Sequence, residues 1–254
     1  MTKNKSSIRL TRRDYGILRD AAKYGMVVPE LLQAQRFAGQ KPAAVQSTLR
    51  RLYGHPPEYR FLRPEKLDAK RVYYRLTSRG CRQIGVSRDA SRKLGMQAVA
   101  ERYATTWFIS ADLAGGRSLL DPKEFPEQFP NIRERLPKKR FHTEQVGQTV
   151  RLGYFVTDLR TDVRRLVRQS STVMRRFLER RWFDDFLRHD RFVFTVLTFN
   201  ESKAVEIDTK LRLTFQQQLS RPLQSIGLQP AGTESIAVRV LVVPGLDTLI
   251  PEPR

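Results

Sequence analysis

The stretch Tyr74-Arg75-Leu76-Thr77-Ser78-Arg79-Gly80-Cys81-Arg82-Gln83-Ile84 decides the fold of the first part of the chain. A strand that ends at Leu76 passes directly into Thr77, which is a favoured N-cap residue, so a short helix is expected to follow. Gly80 lets that helix approach the strand closely, because glycine has no Cβ. The stretch therefore predicts a strand that is closed by a helix.

The residues before this stretch predict three helices and a hairpin. Thr11 caps the first helix, with Asp14 as its capping-box partner, and Pro42 opens the third helix. The predicted helices cover residues 12–24, 29–37 and 42–53, and the strands Tyr59–Leu62 and Arg71–Leu76 pair across a turn. Three helices, a basic hairpin and a closing helix are typical of a winged helix-turn-helix, which we assign to residues 1–92.

The third helix predicts a DNA-binding surface, because a helix of this size fits the major groove. We expect Arg50 or Arg51 to pair with guanine and Gln46 with adenine, beside Ser47. The residues expected to hold phosphates are Lys41, Arg60, Arg63, Lys66, Lys70 and Arg71. The alternative is a winged helix that contacts protein and whose charge is merely solvated.

The charge of the chain favours a polyanionic partner. Lys and Arg number 47 against 26 Asp and Glu, which gives a net charge of +21. Residues 1–110 hold 23 basic and 8 acidic residues, a net +15, and the remainder holds 24 and 18, a net +6. Double-stranded DNA is therefore the expected partner of the first part.

Several classes of protein are excluded by composition. One cysteine and three scattered histidines form neither a disulfide framework nor a zinc finger. No apolar run approaches the ~18 residues of a membrane span, and no apolar segment follows the basic start. We therefore expect a soluble, cytoplasmic protein that has no membrane partner.

The second part predicts an α/β sandwich with a mixed sheet. Residues 93–112 are expected to form a connecting helix, and residues 113–254 alternate in the order β-β-α-β-α-β. The chain as a whole is thus predicted to be α+β, with an α/β second domain. A long arginine-rich helix over Asp162–Asp185 either binds flanking DNA backbone or is a solvated face.

Three stretches resemble the replication-relaxation family of plasmid and integrative-element proteins. They are the opening Leu10–Leu18, the hairpin exit Tyr74–Thr77 with Gly80, and the strand-to-helix junction Arg191–Ala204. The resemblance implies an N-terminal winged helix and a restriction-endonuclease-like second domain. It also implies a role in replication, relaxation or transfer of a mobile element.

The acidic residues of the second part depart from that family, whose domain typically carries Pro-Asp and a Glu-X-Asp-like pair. The strand Tyr154–Asp158 keeps only Asp158, with Val156 two residues before it. The candidate catalytic residues are Glu144, Asp158 and Arg160, but arginine cannot easily activate water because it stays protonated.

These observations favour an accessory or regulatory DNA-binding factor with no catalytic set, no metal site and no cofactor. One alternative is a Mg²⁺-dependent nuclease that uses Glu144 and Asp158. Another is an adaptor that docks onto a partner protein in a larger DNA-processing machine. The sequence also leaves a homodimer open.

Overall fold

The computed structural model describes residues 9–111, 116–121, 124–130, 132, 140–225 and 236–250. The chain divides into two compact units, Met1–Thr106 and Trp107–Arg254. This boundary falls inside one helix, whereas the predicted start of the second domain at residue 113 lies outside the described residues. The described elements form a mixed α+β fold.

The first unit opens with helix α1, Arg12–Tyr24, and the sequence explains both of its ends. The Asp14 carboxylate accepts hydrogen bonds from the backbone N–H of Thr11 at 2.7 Å and from its hydroxyl at 2.8 Å, so the predicted capping box is confirmed. Gly25 ends the helix with φ of +82°, a conformation that glycine adopts without strain.

Two further helices and a hairpin complete the core of this unit. Helices α2, Pro29–Arg36, and α3, Pro42–Tyr53, are followed by strands β1, Leu62–Lys66, and β2, Val72–Leu76. Val27 adds an antiparallel bridge to Tyr74 on the other side of β2. The buried core comprises Ile17, Leu18, Ala21, Val27, Leu32, Phe37, Val45, Leu49, Leu52, Phe61, Leu62, Tyr74, Leu76 and Cys81.

The hairpin begins later than the sequence predicted. Pro57–Tyr59 forms a 3-10 turn in place of the expected strand start, and β1 continues through residues 63–66, which were predicted to be a turn. The strand continues to Lys66 because the next residue, Leu67, is buried. Pro64 is tolerated within it because β1 is an edge strand. The strand prediction for Tyr59–Leu62 was therefore wrong over most of its length.

The closing helix α4, Ser78–Ile84, has the predicted cap and the predicted close approach. Its N-cap Thr77 accepts a hydrogen bond from the Gly80 N–H at 3.1 Å. A Cβ on Gly80 would overlap the carbonyl oxygen of Phe61 and the side chain of Leu76. The unit ends in helix α5, Met96–Ser110, which crosses the boundary between the units.

The described residues of the second unit form a five-stranded mixed sheet with helices in its crossovers. The strands β3 (Ser118–Leu119), β4 (Phe141–Val146), β5 (Thr149–Thr157), β6 (Phe192–Thr198) and β7 (Ala237–Val242) lie in sequence order. The first three are antiparallel, and β5, β6 and β7 are parallel. The predicted mixed sheet is therefore confirmed.

In the described part of this unit, the sheet is accompanied by the helices α6 (Phe125–Gln128), α7 (Val163–Leu178), α8 (Arg181–Arg188) and α9 (Glu201–Ser225). The single helix predicted for Asp162–Asp185 is broken at Arg180, whose backbone is extended. In one continuous helix, Phe183, Phe186 and Leu187 would lie off the buried side of α7. The break lets α8 turn these three side chains into the core. Within the described residues, no helix is long and apolar enough to cross a bilayer.

Candidate nucleic-acid interface

Helix α3 is held in the first unit by its apolar side and exposes a polar side. On the apolar side, Val45, Leu49 and Leu52 are buried. The turn before the helix is held by the Gln33 side chain, which donates to the carbonyls of Phe37 at 2.8 Å and Gln40 at 2.7 Å. The exposed positions include Lys41, Gln46, Ser47, Arg50 and Arg51, as the spacing predicted. The turn and the helix thus present a fixed polar face.

The two adjacent arginines of α3 have different environments. Arg51 forms an ion pair with Asp14 at 2.5 Å, and this carboxylate is fully buried at the start of α1. Arg50 is exposed, and its guanidinium has no hydrogen bond or ion pair among the described residues. Of the two candidates for guanine recognition, Arg51 therefore joins α3 to α1 and Arg50 is available to a ligand.

The hairpin tip is built around Asp68. Its carboxylate accepts hydrogen bonds from the backbone N–H groups of Lys70 and Arg71 at 2.9 and 2.8 Å, and from the Arg71 Nε at 2.6 Å. Burial alone would raise the pKa of Asp68, but these hydrogen bonds outweigh it and lower that pKa below its usual value. The Asp68 carboxylate therefore holds the backbone of the tip in place, with Lys66 and Lys70 exposed on either side of it.

Arg71 anchors the hairpin to helix α5 inside the first unit. Its guanidinium donates to the Tyr103 hydroxyl at 2.8 Å and lies 5.0 Å from the centre of that ring. Burial opposes the charge of Arg71, but the contacts with Asp68 and Tyr103 dominate and raise its pKa. Arg71 therefore has a structural role, joining the hairpin tip to α5. Lys66 and Lys70, in contrast, have no side-chain partner in the described part of the chain.

A basic groove of about 670 Å³ lies beside the base of the hairpin. Its arginines are Arg60, Arg63, Arg75, Arg79 and Arg82. Sequence reasoning selected the first two and missed the last three. The signal for them was present, since Arg75 shares a strand face with Arg63 across the hairpin, and the i, i+3 pair Arg79 and Arg82 opens α4.

The groove arginines differ in how far they are already engaged. Arg60 donates to the carbonyl of His55 at 2.5 Å, and Arg75 pairs with Glu65 at 2.9 Å. Arg63 is 62% exposed and lies 3.5 Å from the same glutamate. Arg79 lies 5.1 Å from each of two aromatic rings, those of Tyr59 and Phe61. Arg60, Arg75 and Arg79 are thus held by contacts within the unit, whereas Arg63 and Arg82 are exposed.

In the second unit, the structure does not bring Glu144 and Asp158 together. Glu144 on β4 pairs in register with Arg151 on β5, and Asp158 lies seven residues beyond Arg151 along the same strand direction. Seven extended residues span about 23 Å. The two carboxylates therefore lie near opposite ends of β5 and cannot share one metal ion.

Glu144 is already neutralised by two arginines. Its carboxylate accepts hydrogen bonds from Arg239 at 2.7 and 3.0 Å and from Arg117 at 3.2 Å. Burial alone would raise the pKa of Glu144, but the hydrogen bonds and charge of Arg239, with help from Arg117, lower it to about 2. The group is an internal counterion and not an open metal ligand.

Asp158 is a buried structural acid. It accepts hydrogen bonds from the Thr161 N–H at 2.9 Å and the Thr198 hydroxyl at 2.9 Å, and it pairs with Lys203 at 2.7 Å. Arg160 points elsewhere, with its Nη2 donating to the carbonyl of Asp247 at 3.4 Å. Asp158 thus joins the end of β5 to the end of β6 and to the start of α9.

No three His, Cys, Asp or Glu side chains meet in a metal-binding group within the described ranges. The DNA-binding candidates, in contrast, lie on one unit, on α3, the hairpin and the groove beside it. The chain matches no protein-family model, and no curated protein matches it. Its function is therefore inferred from the geometry and charge of these residues.

Proposed function

We propose that this chain is a sequence-selective double-stranded DNA-binding protein whose first unit acts as a winged helix-turn-helix. The observation that carries the proposal is a set of polar side chains on α3 and the hairpin tip that have no partner among the described residues. These are Lys41, Gln46, Ser47, Arg50, Lys66 and Lys70. They are exposed, whereas Arg51 and Arg71 are committed to internal ion pairs.

In this proposal α3 enters the major groove and the hairpin acts as a wing on the backbone. Gln46 can pair with adenine and Arg50 with guanine, because both side chains match the edges of those bases. Ser47 lies between them on the same exposed side. Lys41, Lys66, Lys70 and the exposed Arg63 neutralise phosphates and fix the register of the helix on the duplex.

We further infer that the second unit has restriction-endonuclease-like ancestry and no nuclease activity. The order of three antiparallel strands followed by a parallel crossover supports the ancestry. The separation of Glu144 from Asp158 supports the loss of chemistry. With the family resemblance, these features favour an accessory or regulatory role in replication, relaxation or transfer of a mobile element.

The test compares variants of α3 with variants of the wing in the full chain. A preferred duplex is selected first, and binding to it and to unrelated duplexes is then measured across salt concentrations. Gln46→Ala and Arg50→Ala should each cost about 1–3 kcal/mol on the preferred site and flatten sequence preference. Lys66→Ala and Lys70→Ala should weaken all duplexes alike and reduce the salt slope by about 0.9 each.

Arg19→Ala is the matched control. Arg19 is an exposed cation of α1, and its substitution removes the same charge as each wing substitution. It should leave both the preference and the salt slope nearly unchanged. A full chain without salt-sensitive duplex binding would contradict the proposal. Variants of α3 and the wing that behave alike would contradict the assignment of α3 to the groove.

A further inference from the structure

Helix α7 of the second unit carries five exposed arginines along one side. They form what we call the arginine row: Arg164, Arg165, Arg168, Arg175 and Arg176. The spacing of 164, 168 and 175, and of 165 and 176, keeps these side chains on the outward half of the helix. From Arg164 to Arg176 the row extends about 18 Å along the helix axis.

Among the described residues, no acidic side chain pairs with a guanidinium of the arginine row. Between Arg164 and Arg176 the other exposed residues of α7 are Gln169 and Thr172, and none of the five guanidiniums makes an ion pair or hydrogen bond with a described residue. Two other cations of this unit are paired with buried carboxylates, Arg239 with Glu144 and Lys203 with Asp158. Five like charges on 18 Å of helix repel one another unless an external anion neutralises them.

The inner side of α7 decides which kind of anion fits. Its apolar residues, which include Leu166, Met174 and Phe177, are buried in the core of the unit. The helix therefore has no apolar face to insert into a lipid surface or into a groove on a partner protein. The exposed side is polar and mostly charged, and all five of its charges are guanidiniums, which bind phosphate oxygens in a bidentate fashion.

We propose that the arginine row is a second DNA-binding surface, which holds backbone phosphates of duplex DNA without reading sequence. This goes beyond the function proposed above, which gives the second unit no contact with DNA. The row matches a linear array of phosphates, because duplex DNA carries one negative charge per about 1.7 Å of its axis. Sequence preference then belongs to α3, and the arginine row adds affinity only.

The experiment removes two charges of the row in the full chain. Arg164→Gln with Arg168→Gln should lower the slope of log K against log salt by about 1.8 and weaken all duplexes about tenfold or more at 100 mM salt. Sequence preference should not change. The charge-preserving pair Arg164→Lys with Arg168→Lys should retain the slope, because counterion release depends on charge.

The matched control is Arg92→Gln with Lys210→Gln, which removes the same net charge from exposed cations that lie beside Asp89 and Glu206. If the control lowers the slope as much as the row variant, net charge alone is acting and the proposal is overturned. An unchanged slope in a row variant with wild-type thermal stability also overturns it. Loss of binding to phosphatidylserine vesicles without loss of DNA binding would assign the row to a membrane instead.

The two proposals fail separately. If the α3 variants leave sequence preference unchanged while the row variant lowers the slope, the second surface stands and the groove assignment fails. If only the α3 variants have an effect, the arginine row is a solvated face and the groove assignment stands.

Discussion

His142 shows how a single residue can be polar by type and apolar by environment. It lies fully buried on β4, with Phe108 in edge contact at 4.8 Å between ring centres and Phe155 at 6.0 Å. Neither ring nitrogen has a hydrogen-bond partner among the described residues. Burial lowers the pKa of His142 from 6.5 to about 3; the nearby carboxylate of Glu144 opposes this shift, and the charges of Arg117 and Arg239 add to it. The folded protein therefore keeps this imidazole neutral.

The pH dependence of stability should reveal His142. In the unfolded chain it binds a proton as the pH falls below 6.5, whereas the folded state binds none until about pH 3. The unfolded state thus gains protons first, so stability is full above pH 6.5 and declines as the pH falls. Between pH 7 and pH 5 we expect His142 to account for a loss of about 2 kcal/mol, and His142→Leu to remove that loss.

Denaturant unfolding of the wild type and His142→Leu at pH 7, 6 and 5 measures this difference. Glu144 does not interfere in this pH range. Because its pKa is lowered from 4.5 to about 2, its contribution to the free energy of unfolding is lost only as the pH falls between those two values. If the free energy of unfolding falls equally with pH in the two proteins, His142 is not the source of the pH dependence. At pH 7 the variant should be as stable as the wild type or more so, since two unpaired buried nitrogens are removed.

Among the elements, the contact between α4 and the hairpin depends on one glycine. Gly80 lies in the first turn of α4, against the Phe61 carbonyl and the Leu76 side chain. The Thr77 N–H donates to the same carbonyl at 3.0 Å, so the strand end and the helix start are joined at one point. This junction sets the position of the hairpin that carries Lys66 and Lys70.

Gly80→Ala should destabilise the first unit by about 3 kcal/mol, because a backbone oxygen cannot move aside for the added methyl group. Gly16→Ala is the control in α1, where the added methyl meets the end of the Arg36 side chain, which can move at the cost of its partly exposed ion pair with Asp20, worth at most about 1 kcal/mol. There the better helix propensity of alanine should leave stability equal or slightly raised. Thermal unfolding monitored by circular dichroism tests both, and equal effects of the two substitutions would contradict the packing argument.

For the whole molecule, the expected outcome is binding without cleavage. The two candidate acids are held apart, and each already has cationic partners. A Mg²⁺ ion requires oxygen ligands that converge on one point. Incubation of the purified chain with supercoiled plasmid and Mg²⁺ or Mn²⁺ should therefore produce no nicking.

Nicking lost in both Glu144→Gln and Asp158→Asn would overturn this view. Nicking that survives in both variants would indicate a different site or a contaminating nuclease, and separate column fractions would distinguish these two sources. The plasmid assay is read at a salt concentration where the chain binds DNA, so that absence of cleavage is not absence of contact.

Local patterns were enough to predict much of this protein. The capping box of Thr11 and Asp14, the exposed side of α3 and the close approach at Gly80 follow from residue types at fixed spacing, and the structure confirms each of them. The strand Thr149–Thr157 and the mixed sheet were also predicted, because β-branched and aromatic runs between turns signal buried strands. These features depend on neighbours within a few residues.

Tertiary structure alone decided which charged residues are available. Arg50 and Arg51 are adjacent in sequence, yet only Arg51 meets a buried carboxylate, that of Asp14, 37 residues away. Glu144 likewise meets Arg239 across 95 residues, and the strand register separates it from Asp158. An ion pair of this kind depends on the relative placement of whole elements, and placement is fixed by packing of the apolar core, which no local spacing of charges encodes.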